Sequence, residues 1–582
     1  MRRLSSFIVV VFAIAALSCS GPKDGKYSIT LLTTNDVHGT FFDSTYVGGN
    51  VKKSLYGIKY VVDSIRKAEG PENVLLVDAG DIVQGDNAAY YFNYVDTLSP
   101  HIYPRLAKYM GYDAVVLGNH DIEAGHPVYD RLAKEMKAEG IPLLAGNAVR
   151  NDNGQRYFPI YTIVKRHGLK IAVLGYDNAN IAGWLPERLW SGMKFQSLIP
   201  LVQQDVDMVV SKEKPHLVVV AVHTATGDGD GKALESQGLD LMKTLHGVDF
   251  LVCSHDHRPK VVESDTLCLI NSGSHSRFVG HGKIEFTVTK GKVVDKKLSA
   301  DLLPVDQRKI DHEMAAKFHD DFVAVKKFTT TKVGDLKVDL LTRDAYVGMS
   351  PYLNLIHTLS LENTPARISF AAPLTFNGTI KAGTLVYNDL FTVYPFENQM
   401  YVIKMTGKEI KDYLEASYDL WINTISKPTD HVLNIVPRSD ARTGAQSWSF
   451  VERSYNFDSA GGLVYTVDVL KPRGERVDIE SLAGGEPFDP AKTYNVALTS
   501  YRASGGGGLM AKAGVDTGKI DERVVEIYPE FRKILYDYLL EKGSIDPEVI
   551  GDPKLIGRWR FVPEDIAGPA LQRDMELVFP KR

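Results

Sequence analysis

The chain has 582 residues, of which 44% are hydrophobic and 24% are charged, and its formal net charge at pH 7 is −5. This length predicts two domains, and the composition excludes a disordered, a collagen-like and a small disulfide-stabilised protein. The excess of acidic residues argues against a protein that coats nucleic acid polymers, whereas small phosphorylated ligands are allowed.

The N-terminus has the pattern of an export signal. A basic start precedes an apolar run over residues 7–17, which is too short to cross a bilayer. We therefore predict a signal peptide over residues 1–18. The residues before Cys19 resemble a bacterial lipobox, so we expect a lipid-anchored tether over residues 19–26, with plain signal cleavage as the alternative. The protein would then lie on the periplasmic side of a bacterial membrane and touch that membrane only through the lipid.

Cys253 and Cys268 are the cysteines that follow this segment. Two cysteines do not make a disulfide framework, although export implies an oxidising compartment. The sequence leaves open whether they form one bridge or stay as two buried thiols.

Residues 27–305 alternate short aliphatic runs with amphipathic segments of helix length, which predicts an α/β arrangement of buried strands and covering helices. Six of these runs end in polar residues: YSITLLTTND (27–36), NVLLVDAGD (73–81), YDAVVLGNHD (112–121), KIAVLGYD (170–177), HLVVVAVH (216–223) and VDFLVCSHDH (248–257). Because α/β proteins place their sites in loops beyond the carboxyl ends of strands, we expect these endings to converge on one edge of a sheet.

Residues 306–330 read as a polar helix that connects this region to a second one. Residues 331–582 predict a second domain of the α+β class. Its strand-like stretches are RISFAAPL (367–374), MYVIKMTG (400–407), LVYTVDVL (463–470) and YNVALTS (494–500), and its helical stretches include GKEIKDYLEASYDLWI (407–422) and FRKILYDYLLEKG (531–543).

The polar strand endings offer carboxylate, amide and imidazole groups in near-equal numbers. Such a set suits two divalent ions about 3.5 to 4 Å apart, with one carboxylate able to bridge them. Each ending alone has a simpler reading as a turn, a cap or a structural histidine pair. Their ordered occurrence in one α/β region favours metal binding. The candidate ligands are Asp36, His38, Asp81, Asn119, His223, His255 and His257.

The order NDVHG, GD, GNHD, H and SHDH resembles the calcineurin-like metallophosphoesterase superfamily, and the added second domain resembles that of the two-domain bacterial 5′-nucleotidase family. This resemblance implies a four-layer α/β/β/α sandwich over residues 27–305. It also implies a connector helix over residues 306–330 and a 5′-nucleotidase-type, α+β substrate-binding domain over residues 331–582.

The same resemblance implies two divalent ions, of Mn, Zn, Co or Fe, bridged by Asp81. One ion would also be held by Asp36, His38 and His257, and the other also by Asn119, His223 and His255. His120 would stabilise the phosphoryl oxygens or protonate the leaving alkoxide. Some relatives carry an aspartate three positions after this histidine to orient it; this chain has Glu123 there and Asp121 nearer, and we favour Glu123. The other histidines, His275 among them, are expected to be structural or exposed.

Two tyrosines of the second domain are candidates for stacking on a nucleobase. Tyr455 in SYNFDSAGGLVYTVDVLKP and Tyr501 in LTSYRASGGGGLM match stretches of the periplasmic 2′,3′-cyclic-nucleotide 2′-phosphodiesterases with 3′-nucleotidase activity, which this chain resembles most. The resemblance implies that the pair sandwiches the base. Gly505 begins a glycine run that lacks the lysine of a P-loop, and we interpret it as a loop that approaches the nucleoside. Plain loop flexibility is the alternative.

The stretch TFNGTIKAG (375–383) has no arginine where the 5′-nucleotidases of the superfamily grip phosphate. This favours the hydrolysis of 2′,3′-cyclic and 3′-nucleotides, although Lys381 or Arg502 could compensate. The main alternative is a 5′-nucleotidase or UDP-sugar hydrolase. A non-catalytic nucleotide-binding surface lipoprotein and a general phosphodiesterase are less favoured. We expect a monomer with a small nucleotide substrate.

Overall fold

The computed structural model describes residues 21–427, 429–439 and 446–580. The predicted signal peptide and Cys19 lie outside these residues. The chain divides into two compact units: the first takes residues up to 45, 50–181 and 188–321, and the second takes residues 46–49, 182–187 and 322–582. Among the described helices, none is both long and apolar enough to span a membrane.

Two six-stranded sheets form the framework of the first unit. The strands up to residue 304 are β1 (Gly25–Thr34), β2 (Val74–Asp78), β3 (Ala114–Val116), β4 (Leu143–Leu144), β5 (Ala148–Arg150), β6 (Tyr161–Arg166), β7 (Leu169–Tyr176), β8 (Met193–Phe195), β9 (Leu217–Val222), β10 (Phe250–Cys253), β11 (Lys260–Glu263), β12 (Cys268–Asn271), β13 (Phe278–Thr289) and β14 (Lys292–Pro304). One sheet has the order β14-β13-β1-β2-β3-β4, and the other has the order β11-β12-β10-β9-β7-β6.

All six aliphatic runs are strands, but they divide between the two sheets. The runs ending near residues 36, 81 and 121 form β1, β2 and β3, and the other three form β7, β9 and β10. The expectation of a single sheet edge was therefore wrong. Within each group of three the strands are parallel, so their carboxyl ends lie on one side of the sheet.

The helices up to residue 329 are α1 (Leu55–Glu69), α2 (Asn87–Tyr90), α3 (Ile102–Met110), α4 (Asn119–Glu123), α5 (His126–Ala138), α6 (Ile181–Trp184), α7 (Leu198–Glu213), α8 (Gly238–Thr244), α9 (His312–Lys317) and α10 (His319–Thr329). The two sheets share one apolar core, in which Leu31 and Val77 of the first sheet meet Val173 and Val219 of the second. The outer face of the second sheet packs on α7 and α8, and α1 and α5 contact the first sheet. These layers confirm the four-layer α/β/β/α sandwich.

The central strands of the sandwich are apolar on both faces because the sheets are covered on both sides there. Every residue of β9 and β10 is buried, for example. Cys253 at the end of β10 and Cys268 at the start of β12 are both buried and free, which answers the question about a bridge. β1 begins at Gly25, inside the segment predicted as a tether.

The predicted connector helix is two helices, α9 and α10. The carboxylate of Asp311 caps α9 by accepting a hydrogen bond from the backbone N–H of Met314. The helix stops at Phe318, whose backbone angles (φ −103°, ψ 17°) leave the helical region. The apolar periodicity of the segment was too weak to reveal this break.

The second unit combines a five-stranded sheet of order β23-β17-β26-β20-β27 with smaller sheets. Its strands are β15 (Lys332–Leu336), β16 (Leu340–Leu341), β17 (Ile368–Ala371), β18 (Thr379–Ile380), β19 (Gly383–Val386), β20 (Gln399–Thr406), β21 (Ile435–Ser439), β22 (Gln446–Phe450), β23 (Ser459–Gly461), β24 (Leu463–Asp468), β25 (Val477–Leu482), β26 (Thr493–Thr499), β27 (Val524–Glu530), β28 (Ser544–Ile545) and β29 (Gly557–Val562).

The helices of this unit after α10 are α11 (Pro351–Glu362), α12 (Tyr387–Val393), α13 (Gly407–Trp421), α14 (Ser500–Ala503), α15 (Leu509–Lys512), α16 (Phe531–Lys542), α17 (Pro547–Ile550), α18 (Pro553–Ile556) and α19 (Glu564–Val578). Every strand and helix predicted in this region is present, as β17, β20, β24, β26, α13 and α16. α13 begins with a capping box between Thr406 and Glu409, and its Trp421 lies in the apolar core of the unit.

Candidate metal centre

The polar residues after the strands of the first unit have an unusual backbone. Asp36, His38, Asp81, His255 and His257 all have positive φ, between 48° and 70°. Side chains other than glycine rarely adopt this region, and such conformations persist where the surrounding structure enforces them, often at functional sites. The loops of the two sheets are therefore held in fixed, strained shapes.

One group of ligand-type residues consists of Asp36, His38 and His257, with ligand atoms all within 4.8 Å of one another. The Nε2 atoms of His38 and His257 are 2.9 Å apart, and Nε2 of His257 is 3.5 Å from Oδ1 of Asp36. Two imidazole nitrogens at this separation need a proton or a cation between them. The side chain of His257 is 40% exposed, so solvent reaches this group.

The second group consists of Asp81, His223 and His255, again within 4.8 Å. Asn119 joins it, because its Oδ1 lies 3.1 Å from Nε2 of His223 and 2.9 Å from Nδ1 of His255. The seven residues proposed as ligands thus lie in two neighbouring groups. Parallel strands of both sheets deliver them, which explains why residues far apart in the sequence meet.

Asp81 lies between the groups. Its Oδ2 is 3.1 Å from Nε2 of His223 in one group and 4.0 Å from Nε2 of His38 in the other. This oxygen is buried, and no well-aligned hydrogen bond reaches it from any described residue. Oδ1 accepts a hydrogen bond from the backbone N–H of His120 at 2.9 Å. Oδ2 is therefore placed to face both groups.

Hydrogen bonds behind the site fix the orientation of two imidazoles. Nδ1–H of His38 donates to the carbonyl of Gln84 at 3.1 Å, and Nδ1–H of His223 donates to the carbonyl of Ala79 at 2.8 Å. Each bond leaves Nε2 directed at the other ligand-type residues, which is the usual support for a metal-binding histidine.

The electrostatics of the groups favour cations. Burial lowers the pKa of His38 well below its usual value, that of His255 to about 3 and that of His257 to about 4, so these imidazoles are neutral. Burial also raises the pKa of Asp36 to about 8, because the protein offers this carboxylate too little positive charge. In the second group burial opposes protonation of His223, but the Asp81 carboxylate outweighs it and raises the pKa of His223 to about 10. Burial of Asp81 is in turn outweighed by His223 and His120, which hold the pKa of that carboxyl well below its usual range. Imidazole and carboxylate groups together are the donor set that divalent transition metals and zinc prefer.

His120 lies next to the ligand groups without belonging to either. Its ring centroid is 5.5 Å from that of His38, and its side chain is 29% exposed. Nδ1–H donates to Oε2 of Glu123 at 2.5 Å. Burial opposes protonation, but the carboxylates of Asp81 and Glu123 outweigh it and raise the pKa of His120 to about 9. Glu123, rather than Asp121, therefore contacts this histidine.

Asp121 has a structural task, and its inclusion among the catalytic candidates needs correction. Its buried carboxylate accepts hydrogen bonds from backbone N–H groups of Gly118, Asp81, Ile82 and Val83, at 2.9 to 3.0 Å. These bonds tie the loop after β2 to the start of α4, so Asp121 holds the loop that carries Asp81.

A residue that the sequence reasoning set aside also lies here. The ring centroid of His275 is 5.1 Å from that of His38 and 5.7 Å from that of His257. It follows β12, which is parallel to β10 and ends on the same side of the sheet. The stretch CLINSGSH was thus a seventh aliphatic run with a polar ending, a signal that would have identified it.

In the second unit, Tyr455 and Tyr501 are both partly exposed and are joined by Arg502. The guanidinium of Arg502 lies 5.3 Å from the centroid of the Tyr501 ring and donates from Nη2 to the carbonyl of Tyr455. Gly506 packs so closely on the Tyr501 ring that an added Cβ would come within 2.3 Å of it. The tyrosine-bearing segments are therefore neighbours.

Arg502 does not have the free donors expected of a phosphate-binding residue. Nε and Nη2 bind both oxygens of Asp458 at 3.0 and 2.8 Å, and Nη1 donates to Asn456 and to the carbonyl of Gly506. With the bond to Tyr455, all five N–H groups are used. Arg502 is buried and holds the tyrosine loops together, so its assignment to substrate binding is corrected. Lys381 is also engaged, in an exposed ion pair with Asp339 at 2.7 Å.

Gly505 begins the glycine run with φ +99°, and Gly507 and Gly508 also have positive φ. An added Cβ at Gly507 would lie 2.4 Å from both Asn456 Oδ1 and Arg502 Nη1. The run is thus shaped by close packing around Arg502, which accounts for glycine there better than flexibility does. The glycine run does not have the form of a phosphate-binding P-loop.

The Asp458–Arg502 pair predicts a large effect on stability. Asp458→Asn would leave a guanidinium buried without its counter-charge, since the two side chains are only 3% and 4% exposed. We expect the free energy of unfolding to fall by about 3 to 5 kcal/mol, as measured by denaturant titration. The control is Glu486→Gln, which breaks an exposed pair with Arg367 and should leave the free energy of unfolding nearly unchanged. Equal effects of the two variants would contradict the structural role of the buried pair.

Comparisons with known proteins agree with this architecture. Residues 29–259 match the family described as calcineurin-like phosphoesterase, and residues 329–513 match the family described as 5′-nucleotidase, C-terminal domain. A 5′-nucleotidase precursor from Thermus thermophilus has the same fold, with a TM-score of 0.59 and 20% identity over 92% of this chain and 100% of that one.

Two curated relatives extend over most of this chain. The 2′,3′-cyclic-nucleotide 2′-phosphodiesterase/3′-nucleotidase of Haemophilus influenzae is 24% identical over 97% of this chain and 92% of that protein. The trifunctional nucleotide phosphoesterase protein YfkN of Bacillus subtilis is 23% identical over 94% of this chain, which spans only 40% of the length of that relative. The chain thus contains a calcineurin-like phosphoesterase domain followed by a 5′-nucleotidase C-terminal domain.

Proposed function

We propose that the protein is a metal-dependent nucleotide phosphoesterase that hydrolyses 2′,3′-cyclic nucleotides and 3′-nucleotides to nucleosides and phosphate. The observation that carries this proposal is the pair of ligand-type groups that face each other across Asp81. The nucleotide phosphoesterase activities named for the relatives from H. influenzae and B. subtilis support a nucleotide substrate. The domain over residues 27–305 would be catalytic, and the domain over residues 331–582 would bind the nucleoside.

The ligand-type groups would hold two divalent ions. Asp36, His38 and His257 would bind one ion, and Asn119, His223 and His255 the other, with Asp81 shared between them. When bound, the ions would supply the positive charge that activates water and stabilises the phosphoryl oxygens. We propose Mn, Zn, Co or Fe as the metals, and elemental analysis of the purified protein distinguishes among them.

His120 would act on the ester itself. It is within reach of solvent and is oriented by Glu123, so Nε2–H can face the phosphoryl group or the departing ribose oxygen. With a cyclic substrate, water adds to phosphorus, the bond to O2′ breaks and O2′ takes up a proton, which leaves a 3′-phosphate. A second turnover breaks the bond to O3′ and releases nucleoside and inorganic phosphate.

Glu123→Gln tests how much the orientation of His120 matters. Glutamine can still accept the Nδ1–H bond through its amide oxygen, whereas Glu123→Ala cannot. We expect kcat to fall up to about tenfold in the glutamine variant and about 100-fold in the alanine variant, with the metal content unchanged, because the residue supports His120 and not the ions. Equal kcat values in both variants and the wild type would rule out this orienting role.

Tyr455 and Tyr501 would stack on the two faces of the base. Stacking of a base on one aromatic ring contributes about 1 to 3 kcal/mol to binding. Tyr455→Ala or Tyr501→Ala should therefore raise KM for 3′-AMP about tenfold or more. The matched phenylalanine variants should stay within about twofold. Bis(p-nitrophenyl) phosphate has no nucleobase and should be hydrolysed equally by all of them. An unchanged KM for 3′-AMP in the alanine double variant would contradict base stacking.

The position of the scissile phosphate is testable on one sample. Phosphate release from 2′,3′-cyclic AMP, 3′-AMP, 5′-AMP and a UDP-sugar is compared on metal-loaded protein; the cyclic substrate and 3′-AMP should give the largest kcat/KM. The stretch 375–383 has no arginine, and its Lys381 is paired with Asp339, which supports this order. Faster turnover of 5′-AMP and the UDP-sugar would instead establish the 5′-nucleotidase alternative.

The proposal includes export and a lipid anchor at Cys19, which rest on the sequence pattern. Cys19→Ser should prevent incorporation of labelled palmitate in bacteria while the activity of the released protein is retained. Incorporation into the Cys19→Ser variant would exclude this anchor. We also propose that the protein acts as a monomer, which light scattering of the soluble part can check.

A further inference from the structure

His275 lies at the mouth of the metal centre. Its imidazole is exposed and stacks on the ring of His38, with 28° between the ring planes, and it meets the edge of His257 at 83°. Its ring is as near to that of His38, at 5.1 Å, as the ring of His120, at 5.5 Å. A group bound beside the ion site of Asp36, His38 and His257 would therefore lie next to His275 as well.

The backbone around His275 is held rigidly. The backbone N–H of His275 donates to the carbonyl of Asp36 at 2.8 Å, and both His275 and Ser276 have positive φ (53° and 55°). These are the strained backbone conformations already seen in the ligand-type residues. The segment is built into the loop cluster rather than lying loosely on the surface.

Arg277 fixes the other end of the same segment. It donates from Nη2 to the carbonyl of His257 at 2.9 Å and from Nε to the carbonyl of Ser274 at 3.0 Å. Nδ1 of His275 lies 3.0 Å from Oγ of Ser274, and within the described part of the chain no hydrogen bond uses its Nε2. The loop thus presents one imidazole nitrogen to solvent beside the metal centre.

A phosphorylated substrate would need a hydrogen-bond donor such as the solvent-facing imidazole nitrogen of His275. A phosphate leaves several charged oxygens to be bound, and the stretch 375–383 offers no arginine for them. We propose that His275 contacts a phosphoryl oxygen of the substrate and of the phosphate product, from a loop fixed by Arg277. This inference deepens the proposed function and rests on it for the identity of the substrate, but its own ligand is the phosphoryl group.

The test measures inorganic phosphate binding to metal-loaded protein by titration calorimetry, together with metal content. His275→Ala should weaken phosphate binding about tenfold or more, the size expected for a hydrogen bond to a charged group, while both ions are retained. His275→Gln keeps an N–H donor and should recover part of the affinity. The control is His246→Ala, because His246 is an exposed histidine on the loop between α8 and β10 and should change nothing.

Steady-state kinetics distinguish a direct contact between His275 and the phosphoryl group from a general structural role of His275. His275→Ala should raise KM for 3′-AMP and the inhibition constant for phosphate by similar factors, with a smaller change in kcat. Arg277→Ala should act in the same direction, and Arg277→Lys should restore little, because lysine lacks the planar fork that reaches His257 and Ser274 together.

Three outcomes would overturn the inference: an unchanged phosphate affinity in His275→Ala, a loss of metal in that variant, or no phosphate binding by the wild type. Failure of the proposed function looks different. In that case the wild type would bind phosphate through His275 yet release none from any nucleotide, so the two ideas are distinguished by the same samples.

Discussion

Replacing Asp81 with asparagine is expected to lower the rate of phosphate release at least about 10³-fold and to remove at least one equivalent of bound metal. Asp81 Oδ2 faces both ligand groups, at 3.1 Å from His223 Nε2 and 4.0 Å from His38 Nε2. An amide carries no charge to offset two cations. Metal ions contribute several kcal/mol to such reactions, and each 1.36 kcal/mol is a factor of ten in rate.

The measurement combines phosphate release with elemental analysis of the dialysed protein. Asp63→Asn is a matched control, because Asp63 lies on α1, is partly exposed and pairs with Lys59. It should keep full activity and full metal content. An Asp81→Asn variant that retained both ions and more than a tenth of the activity would show that Asp81 does not bridge.

His120→Gln should give the second large effect, a fall in kcat of about 10² to 10⁴-fold with both ions retained. His120 belongs to neither ligand group, and its side chain contacts Glu123 instead. The role of the residue can be resolved with leaving groups. If His120 protonates the departing oxygen, p-nitrophenyl esters should be affected much less than 3′-AMP, since nitrophenolate needs no proton.

Equal losses with both kinds of substrate would assign His120 to stabilising phosphoryl oxygens instead. Both results keep His120 in the reaction. Near wild-type kcat on 3′-AMP would remove it, and a loss of metal would place it among the ligands. His126→Gln is a suitable control, because His126 pairs with Asp130 away from the ligand groups.

The sequence was sufficient to predict that the seven ligand-type residues meet, because its buried strands end abruptly in them, although it did not identify His275 beside them. It could not predict how the strands are shared between sheets. An aliphatic run buried on both faces, such as that of β9, looks the same in one wide sheet as in two stacked ones. That arrangement came from the family resemblance, and the structure confirms it.

Roles that depend on side-chain direction were harder to predict. His120 and Glu123 are three residues apart on α4 and so lie on one face, whereas Asp121 turns back to the loop after β2. Arg502 resembled a free phosphate ligand until its partner, Asp458, was seen beside it. Nothing local in either sequence segment reveals this pairing across 44 residues.

The most direct test of the account is anomalous diffraction from crystals of the protein loaded with Mn²⁺. We expect two strong peaks, one beside Asp36, His38 and His257 and one beside Asn119, His223 and His255, with the carboxylate of Asp81 contacting both. A single peak, or peaks remote from Asp81, would contradict the two-metal centre on which the proposed phosphoesterase activity depends.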